Sequence, residues 1–207
     1  MYPYEGSNKI LSMRRIRSLC VYCGSREGTE PRHRRAAAAL GTGLAARSIS
    51  LVYGAGGIGL MNVVANGVIA GGGVTIGVIP RHLAALELKH GGLTETVLVD
   101  TMHERKQHMF ERSDAFAVLP GGFGTLDELF EMLTWKMLGL HRKPIFLVNS
   151  AGYWDPLVGL IDRIIGEDFA RPKTRQLLIV VPSVEALFEA IDETVIGRVQ
   201  AGRADLA

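Results

Sequence analysis

At two points in this chain a short apolar run stops at a cluster of glycines and a helical pattern begins at once. The first is Ser50–Tyr53, followed by Gly54-Ala55-Gly56-Gly57-Ile58-Gly59 and an apolar helix to about Ala70. The second is Ala115–Leu119, followed by Pro120-Gly121-Gly122-Phe123-Gly124 and a helix from Thr125 to about Leu138. A glycine turn between a strand and a helix is the joint of a βαβ unit. Two in one chain require a parallel sheet with helices packed on it. Glycine supplies 25 of the 207 residues, well above the usual share of about 7%, and shows no collagen-like period. The excess therefore belongs to particular loops.

The remaining chain keeps the alternation. Strands are expected at Ser18–Cys23, Val74–Ile79, Val97–Val99, Pro144–Val148 and Leu178–Val181. Helices are expected at Pro31–Arg47, Thr101–Arg112, Asp155–Ile165 and Ser183–Thr194. Runs such as Phe116-Ala117-Val118-Leu119 and Ile145-Phe146-Leu147-Val148 are continuously apolar, as burial on both faces demands. The expected architecture is α/β: one Rossmann-like parallel sheet over residues 18–196. A flexible N-terminal segment, 1–17, and a polar tail, 197–207, flank it. Ala84–Glu95 is the one longer irregular connection, and such a loop can reach over a ligand.

Composition excludes several function classes. Lys plus Arg total 23 and Asp plus Glu 21, a formal net charge of +2, so nothing points to nucleic acid. Gly or charge breaks every apolar stretch before about 18 residues, so no membrane span is expected. Met1–Arg17 lacks the apolar core of a signal peptide, and a cytoplasmic location is the default. The two cysteines, Cys20 and Cys23, have C-x-x-C spacing. On a strand, residues three apart face opposite sides, which suits two core residues better than a redox pair.

The first glycine turn matches G-x-G-x-x-G at Gly54, Gly56 and Gly59. It follows the second strand rather than the first, and no acidic residue ends the next strand to hold a ribose. A dinucleotide site fits poorly. Two readings stay open: a tight turn with close helix packing, or the wall of a mononucleotide pocket at Gly56 and Gly57. The second turn carries more chemistry. A helix N-terminus there offers unpaired N–H groups to an anion, and Thr125 can cap it and add a hydroxyl. On the helical wheel Leu126, Leu129, Phe130, Leu133 and Met137 form the stripe expected to face the sheet. Glu128, Met132 and Trp135 fall opposite. Apolar residues on both sides point to a homodimer through the side carrying Met132 and Trp135. Glu128 lies one turn from the anion-binding end; a solvated surface Glu is the ordinary alternative. On the helix before the fifth strand, Met102, Arg105, Lys106 and Met109 share a face. Arg and Lys there either serve a site or lie over an apolar rim with their heads in water. His103 and His108 do not face one another, and no metal site is expected.

Pro120-Gly121-Gly122-Phe123-Gly124-Thr125-Leu126-Asp127-Glu128, with Met102-His103-Glu104-Arg105-Lys106, resembles the LOG (Lonely Guy) family, cytokinin riboside 5′-monophosphate phosphoribohydrolases long mislabelled as lysine decarboxylases. The likeness runs from Val21-Tyr22-Cys23-Gly24-Ser25 to Trp135 and Lys143-Pro144, and covers about Ser18 to Thr194. The resemblance implies a dimeric Rossmann-like enzyme that hydrolyses the bond between an N6-substituted adenine and ribose 5-phosphate. It places the catalytic pair on Arg105 and Glu128. It places substrate contacts on Glu87, Arg105, Lys106, Thr134 and the run Gly122, Phe123, Gly124, Thr125, Leu126, Asp127 and Glu128. Ser25 and Gly121, with Gly56 and Gly57, would wall the phosphate pocket. Asp127 stands where many members have Glu, and Leu83–Thr94 departs from plant members. No metal or organic cofactor is implied. Alternatives are a broader nucleosidase acting on AMP or other nucleoside monophosphates, a non-catalytic nucleotide-binding module, and a pyridoxal phosphate decarboxylase. The last needs a Schiff-base lysine, and Lys106 is the only lysine near the motifs.

Overall fold

A computed structural model describes residues 15–84 and 90–194. Glu87, residues 1–14 of the expected N-terminal segment, and the expected tail at 197–207 lie outside the described residues. From Ile16 onward the chain is held: Ile16 is buried, and the Arg17 and Ser18 N–H groups both donate to the Asp114 carboxylate.

The strands are β1 (Ser18–Tyr22), β2 (Ser50–Tyr53), β3 (Thr75–Pro80), β4 (Glu95–Val99), β5 (Ala115–Val118), β6 (Ile145–Val148) and β7 (Ile179–Val181). The helices are α1 (Pro31–Ala46), α2 (Gly59–Ala70), a one-turn α3 (Arg81–Ala84), α4 (Met102–Glu111), α5 (Phe123–Met137), α6 (Asp155–Gly166) and α7 (Val184–Glu193). The sequence pattern marks neither α3 nor the two short 3₁₀ turns at Ser150–Gly152 and Pro172–Leu177. All are too short to show a period.

The seven strands form one sheet in the order β4-β3-β2-β1-β5-β6-β7, every pair parallel. The chain walks outward from β1 to β4, then returns to lay β5 along the other side of β1. Such a reversal opens a crevice at the carboxyl ends of the two central strands. Here those ends are Tyr22 and Val118, paired in register. β5 and β6 are buried at every residue, whereas the edge strand β4 exposes Leu98. Burial on both faces thus holds in the middle of the sheet and fails at its rim.

Two apolar layers clothe the sheet. One packs Leu40 and Leu44 of α1, Val64 and Val68 of α2 and Leu187 of α7 against Leu19, Val21 and Leu51. The other packs Met109 of α4, Leu129 and Met132 of α5 and Leu157 of α6 against Cys20, Phe116 and Leu147. Cys20 and Cys23 fall in different layers, free and buried, and burial pushes both thiols far up. A redox pair needs a stabilised thiolate, so both act as core residues.

Helix α5 corrects the wheel. Its buried face is Thr125, Glu128, Leu129 and Met132, spaced i, i+3, i+4, i+7. Phe130 and Met137 are exposed, and Leu126 and Leu133 are half-buried. The buried face is therefore rotated from the expected stripe: Leu129 faces inward as expected, Leu126 and Leu133 pack at its edge, and Phe130 and Met137 turn outward. Met132 is fully buried and cannot lie in a subunit contact, while Trp135 is half-buried with its ring edge-on to Phe110 at 5.2 Å. The apolar surface left over is Phe130, Met137, Leu138 and Leu140.

Three carboxyl-end turns are stitched together at Gly24. Its N–H donates to the Pro120 carbonyl at 3.0 Å, and its carbonyl accepts from the Leu60 N–H at 3.0 Å. Gly59 permits that closure. It has φ +62°, and a Cβ there would stand 2.2 Å from the Ser25 backbone. Gly72 has φ +69° with open space around it. Left-handed strain alone costs about 1–2 kcal/mol, so Gly72→Ala should lose about that much. Gly59→Ala adds a backbone clash and should lose about 3 kcal/mol or more. Urea unfolding measures both, and equal losses would show that the Ser25 contact is not tight.

Candidate active site

At the β1–β5 crevice a cleft of about 310 Å³ opens between the Gly24–Thr29 loop, the start of α1 and the Pro120–Gly122 turn. Ser25 and Gly121 of the expected pocket wall line it, together with Gly122. Gly56 and Gly57 do not: Gly56 is buried beneath Met61 and Gly57 is half-buried. His33 and Tyr153 also line the cleft. Neither belongs to a sequence motif, and only the packing of α1 and of the turn after β6 brings them here.

The Pro120–Gly122 turn ends in the amino terminus of α5, which begins at Phe123, two residues before the expected Thr125. Gly122 caps it, and no side chain bonds the cap. The first N–H groups of a helix have no intrahelical partners, and the dipole makes that end attract anions. The glycines here serve different needs. A Cβ at Gly121 would stand 2.1 Å from Thr125 Oγ1 and 2.9 Å from the Gly24 nitrogen, so packing demands glycine. Gly122 and Gly124 have nothing within 4 Å of such a Cβ. Packing within the chain does not require glycine at either position. Thr125 is buried in the third helical position, its hydroxyl close to Gly121, and is not the cap. Phe123, the first residue of the helix, is almost wholly exposed.

The acid and the guanidinium meet one turn further on. Thr101 Oγ1 accepts from the Glu104 N–H at 3.1 Å, and Glu104 reaches back to the Asp100 N–H at 2.8 Å. These bonds fix the start of α4 and put Arg105 on its first full turn. Arg105 Nη1 donates to Glu128 Oε1 at 2.9 Å, and Nε to the Val78 carbonyl at 3.2 Å. The two side chains are only 12% and 10% exposed. This excludes the solvated reading of Glu128. Gly54 completes the seat: a Cβ there would lie 1.7 Å from Arg105 Nη2. The first glycine turn is thus explained by packing. Gly54 clears Arg105, Gly56 underlies Met61, and Gly59 abuts Ser25.

Burial raises the Glu128 pKa above the ordinary glutamate value; the charge and hydrogen bond of Arg105 pull it back without cancelling the rise. Protonated Glu128 therefore favours the fold below the ordinary glutamate range. That gain is lost as pH rises through the raised value. The result is a partly desolvated carboxyl group of strengthened basicity.

Lys106 Nζ sits between Asp127 Oδ2 and Glu131 Oε2, each at 3.1 Å. Burial alone would lower its pKa, but hydrogen bonds and charges from Glu131 and Asp127 outweigh it, and the net shift is upward. A Schiff-base lysine must shed its proton, so Lys106 does not fit pyridoxal phosphate chemistry. Burial does lower Lys136 and Lys143, but they donate to the Leu177 and Phe110 carbonyls, towards the carboxyl ends of α5 and α4. Leu126 is half-buried and Asp127 exposed. Thr134 is exposed, nine residues or about 14 Å along α5 from Thr125, and does not join the cluster within this chain. Among the described residues no three His, Cys, Asp or Glu side chains gather as a metal-binding group.

A doubly wound sheet, a glycine-led helix end without a side-chain cap at its switch point and a buried acid–guanidinium pair define the class as an α/β protein of Rossmann-like architecture. Comparison with known proteins narrows this. The family described as "Possible lysine decarboxylase" matches residues 61–191. A probable cytokinin riboside 5′-monophosphate phosphoribohydrolase of Oryza sativa subsp. japonica is 44% identical over 179 residues, covering 86% of this chain and 73% of that protein. A cytokinin riboside 5′-monophosphate phosphoribohydrolase of Arabidopsis thaliana is 42% identical over 179 residues, covering 86% and 82%. The chain belongs to this LOG family. Among solved structures, the molybdenum cofactor binding protein of Rippkaea orientalis superposes with a TM-score of 0.65 at 21% identity, covering 87% of this chain and 98% of that one. That likeness shows a shared fold.

If the pair forms as described, replacing Arg105 with Met should move the Glu128 titration further upward, because the group that pulls it down is gone. Gly54→Ala should move it the same way by displacing the guanidinium. Carbon-13 NMR of labelled glutamate side chains reads both. A titration unchanged in either variant would mean that the contact does not form in solution.

Proposed function

We propose that the protein is an N-glycosyl hydrolase acting on N6-substituted adenosine 5′-monophosphates, and that it releases the free base and ribose 5-phosphate. One observation carries the reading: Glu128, buried against Arg105, projects from the same helix whose uncapped glycine end can hold a phosphate. The relatives at 42–44% identity bear that activity in their names.

The phosphate rests on the N–H groups of Gly122 to Thr125, with Ser25 across the cleft. This fixes the ribose and sets its C1′ before Glu128, and such positioning supplies several kcal/mol of the barrier. As the C1′–N9 bond lengthens, its electron pair leaves with the base and positive charge builds on the sugar ring. The Glu128 carboxylate stabilises that charge. A water oxygen then bonds to C1′. Glu128 accepts one water proton as general base, and that proton passes on to the departing base, which restores the carboxylate. Arg105 holds Glu128 in place and faces the ribose and phosphate. Asp127 and Glu131 hold Lys106 as a fixed cation beside the pair. Hydrolysis of this kind is redox-neutral and proceeds without a cofactor. A cytoplasmic setting accords with two free, buried thiols.

The reading includes a homodimer through the outward face of α5, at Phe130, Met137, Leu138 and Leu140, four exposed apolar residues on and just beyond one helix.

Two outcomes are expected. Glu128→Gln should fold, still bind ribose 5-phosphate, and lose at least about 10²-fold in base release, followed by chromatography of products from AMP and N6-isopentenyladenosine monophosphate. Near wild-type turnover in the variant would end the assignment, and equal use of both nucleotides would widen the substrate class. For the dimer, Leu138→Glu combined with Phe130→Glu should halve the mass seen by light scattering. An unchanged mass would remove this face from the contact.

A further inference from the structure

The turn after β6 is built with unusual care for a segment that holds no assigned residue. Ala151 and Gly152 follow one another at φ +53° and +73°. An L side chain such as that of Ala151 rarely adopts this conformation, and it persists only where surroundings impose it. Asn149 imposes it here. Its N–H donates to the Val181 carbonyl at 2.8 Å, anchoring the turn to the neighbouring strand β7. Its Oδ1 accepts from the Trp154 N–H at 2.7 Å, and its Nδ2 donates to Asp155 Oδ1 at 2.7 Å. Gly152 is required as well, since a Cβ there would meet Asp155 Oδ2 at 2.5 Å. The product of this clamp is the position of Tyr153. Its ring stands edge-on to Trp154 at 4.7 Å and to His33 at 5.3 Å. Its hydroxyl donates to the Gly121 carbonyl at 2.8 Å.

We propose that Tyr153 is a positioning residue for the anion-binding turn: its hydroxyl pins the Gly121–Gly122 peptide in the one orientation that leaves the Gly122 N–H open to the substrate's phosphate. This deepens the functional reading above and rests on it. The argument is geometric. In a trans peptide the carbonyl and the following N–H point to opposite sides. A peptide between two glycines has the least steric resistance to flipping. A flip would set the Gly121 carbonyl oxygen where the Gly122 N–H had been and turn a donor into a repulsive acceptor. The N-cap of α5 has no side-chain bond to hold it. The Tyr153 hydroxyl is the side-chain group bonded to this peptide, and it holds the carbonyl end.

Tyr153→Phe removes the hydroxyl and keeps the ring against His33 and Trp154. In the full-length protein, calorimetry with ribose 5-phosphate and, separately, with the free N6-isopentenyladenine base tests the role. The dissociation constant of ribose 5-phosphate should rise about tenfold, the value for one lost hydrogen bond to a charged group. Base affinity and the thermal unfolding midpoint should stay at wild-type values. KM for the nucleotide should rise with the ribose 5-phosphate constant, while kcat changes less than about threefold. Ribose 5-phosphate affinity within twofold of wild type would overturn the proposal. So would an equal loss of affinity for base and sugar phosphate, which marks general damage. A wild type that binds ribose 5-phosphate but releases no base sinks the hydrolase reading and leaves this comparison intact. A wild type that binds no ribose 5-phosphate overturns both.

Discussion

A carboxylate taken out of water must bring a compensating charge with it, and the architecture around Arg105 and Glu128 follows from that demand. The pair spans two helices that approach the sheet from different points in the chain. Their contact holds only if α4 starts at a fixed residue, β3 offers a carbonyl to the guanidinium, and position 54 carries no side chain. The Thr101 cap, the Val78 carbonyl and Gly54 meet these conditions in turn. Arg105 does not fully offset burial, since the carboxyl remains shifted upward. An ion pair that merely stabilised a fold would be expected to leave its acid more acidic than usual.

The same crevice shows how topology and local chemistry cooperate. The reversal in strand order makes a gap between β1 and β5, and any doubly wound sheet has one. What distinguishes this gap is that Gly24 draws three turns together by its own two backbone groups. One side is then closed by α2, whose Leu60 N–H is already taken, and the other is left to α5, whose first N–H groups are not. Two helix ends that look alike in sequence thus differ: one is spent on holding the scaffold, and the other is left free for the phosphate proposed above.

Much of this was legible in the residues. Alternating strands and helices fixed the parallel sheet, and continuous apolar runs marked its centre. The Pro120–Glu128 motif singled out the helix end that lines the cleft and the acid that the structure buries against Arg105. The misreadings have physical reasons. On α5 the wheel ranked faces by hydrophobicity, and the stripe Leu126, Leu129, Phe130, Leu133 and Met137 outweighs Thr125, Glu128 and Met132. Yet Thr125 and Glu128 are buried, and an exposed helix face can be as apolar as a core. At the first glycine turn, three glycines satisfy a motif while each answers a separate packing need. His33 and Tyr153 come from distant segments and join the cleft only through tertiary structure, so no local pattern could announce them.

The two thiols on β1 carry a further consequence. They are sealed on opposite sides of the innermost strand, and their ionisation is strongly suppressed. Alkylating reagents and cellular oxidants attack thiolates, so each sulfur becomes reachable only when the layer that covers it lifts from the sheet. Each layer thereby carries a built-in chemical clock for its own opening.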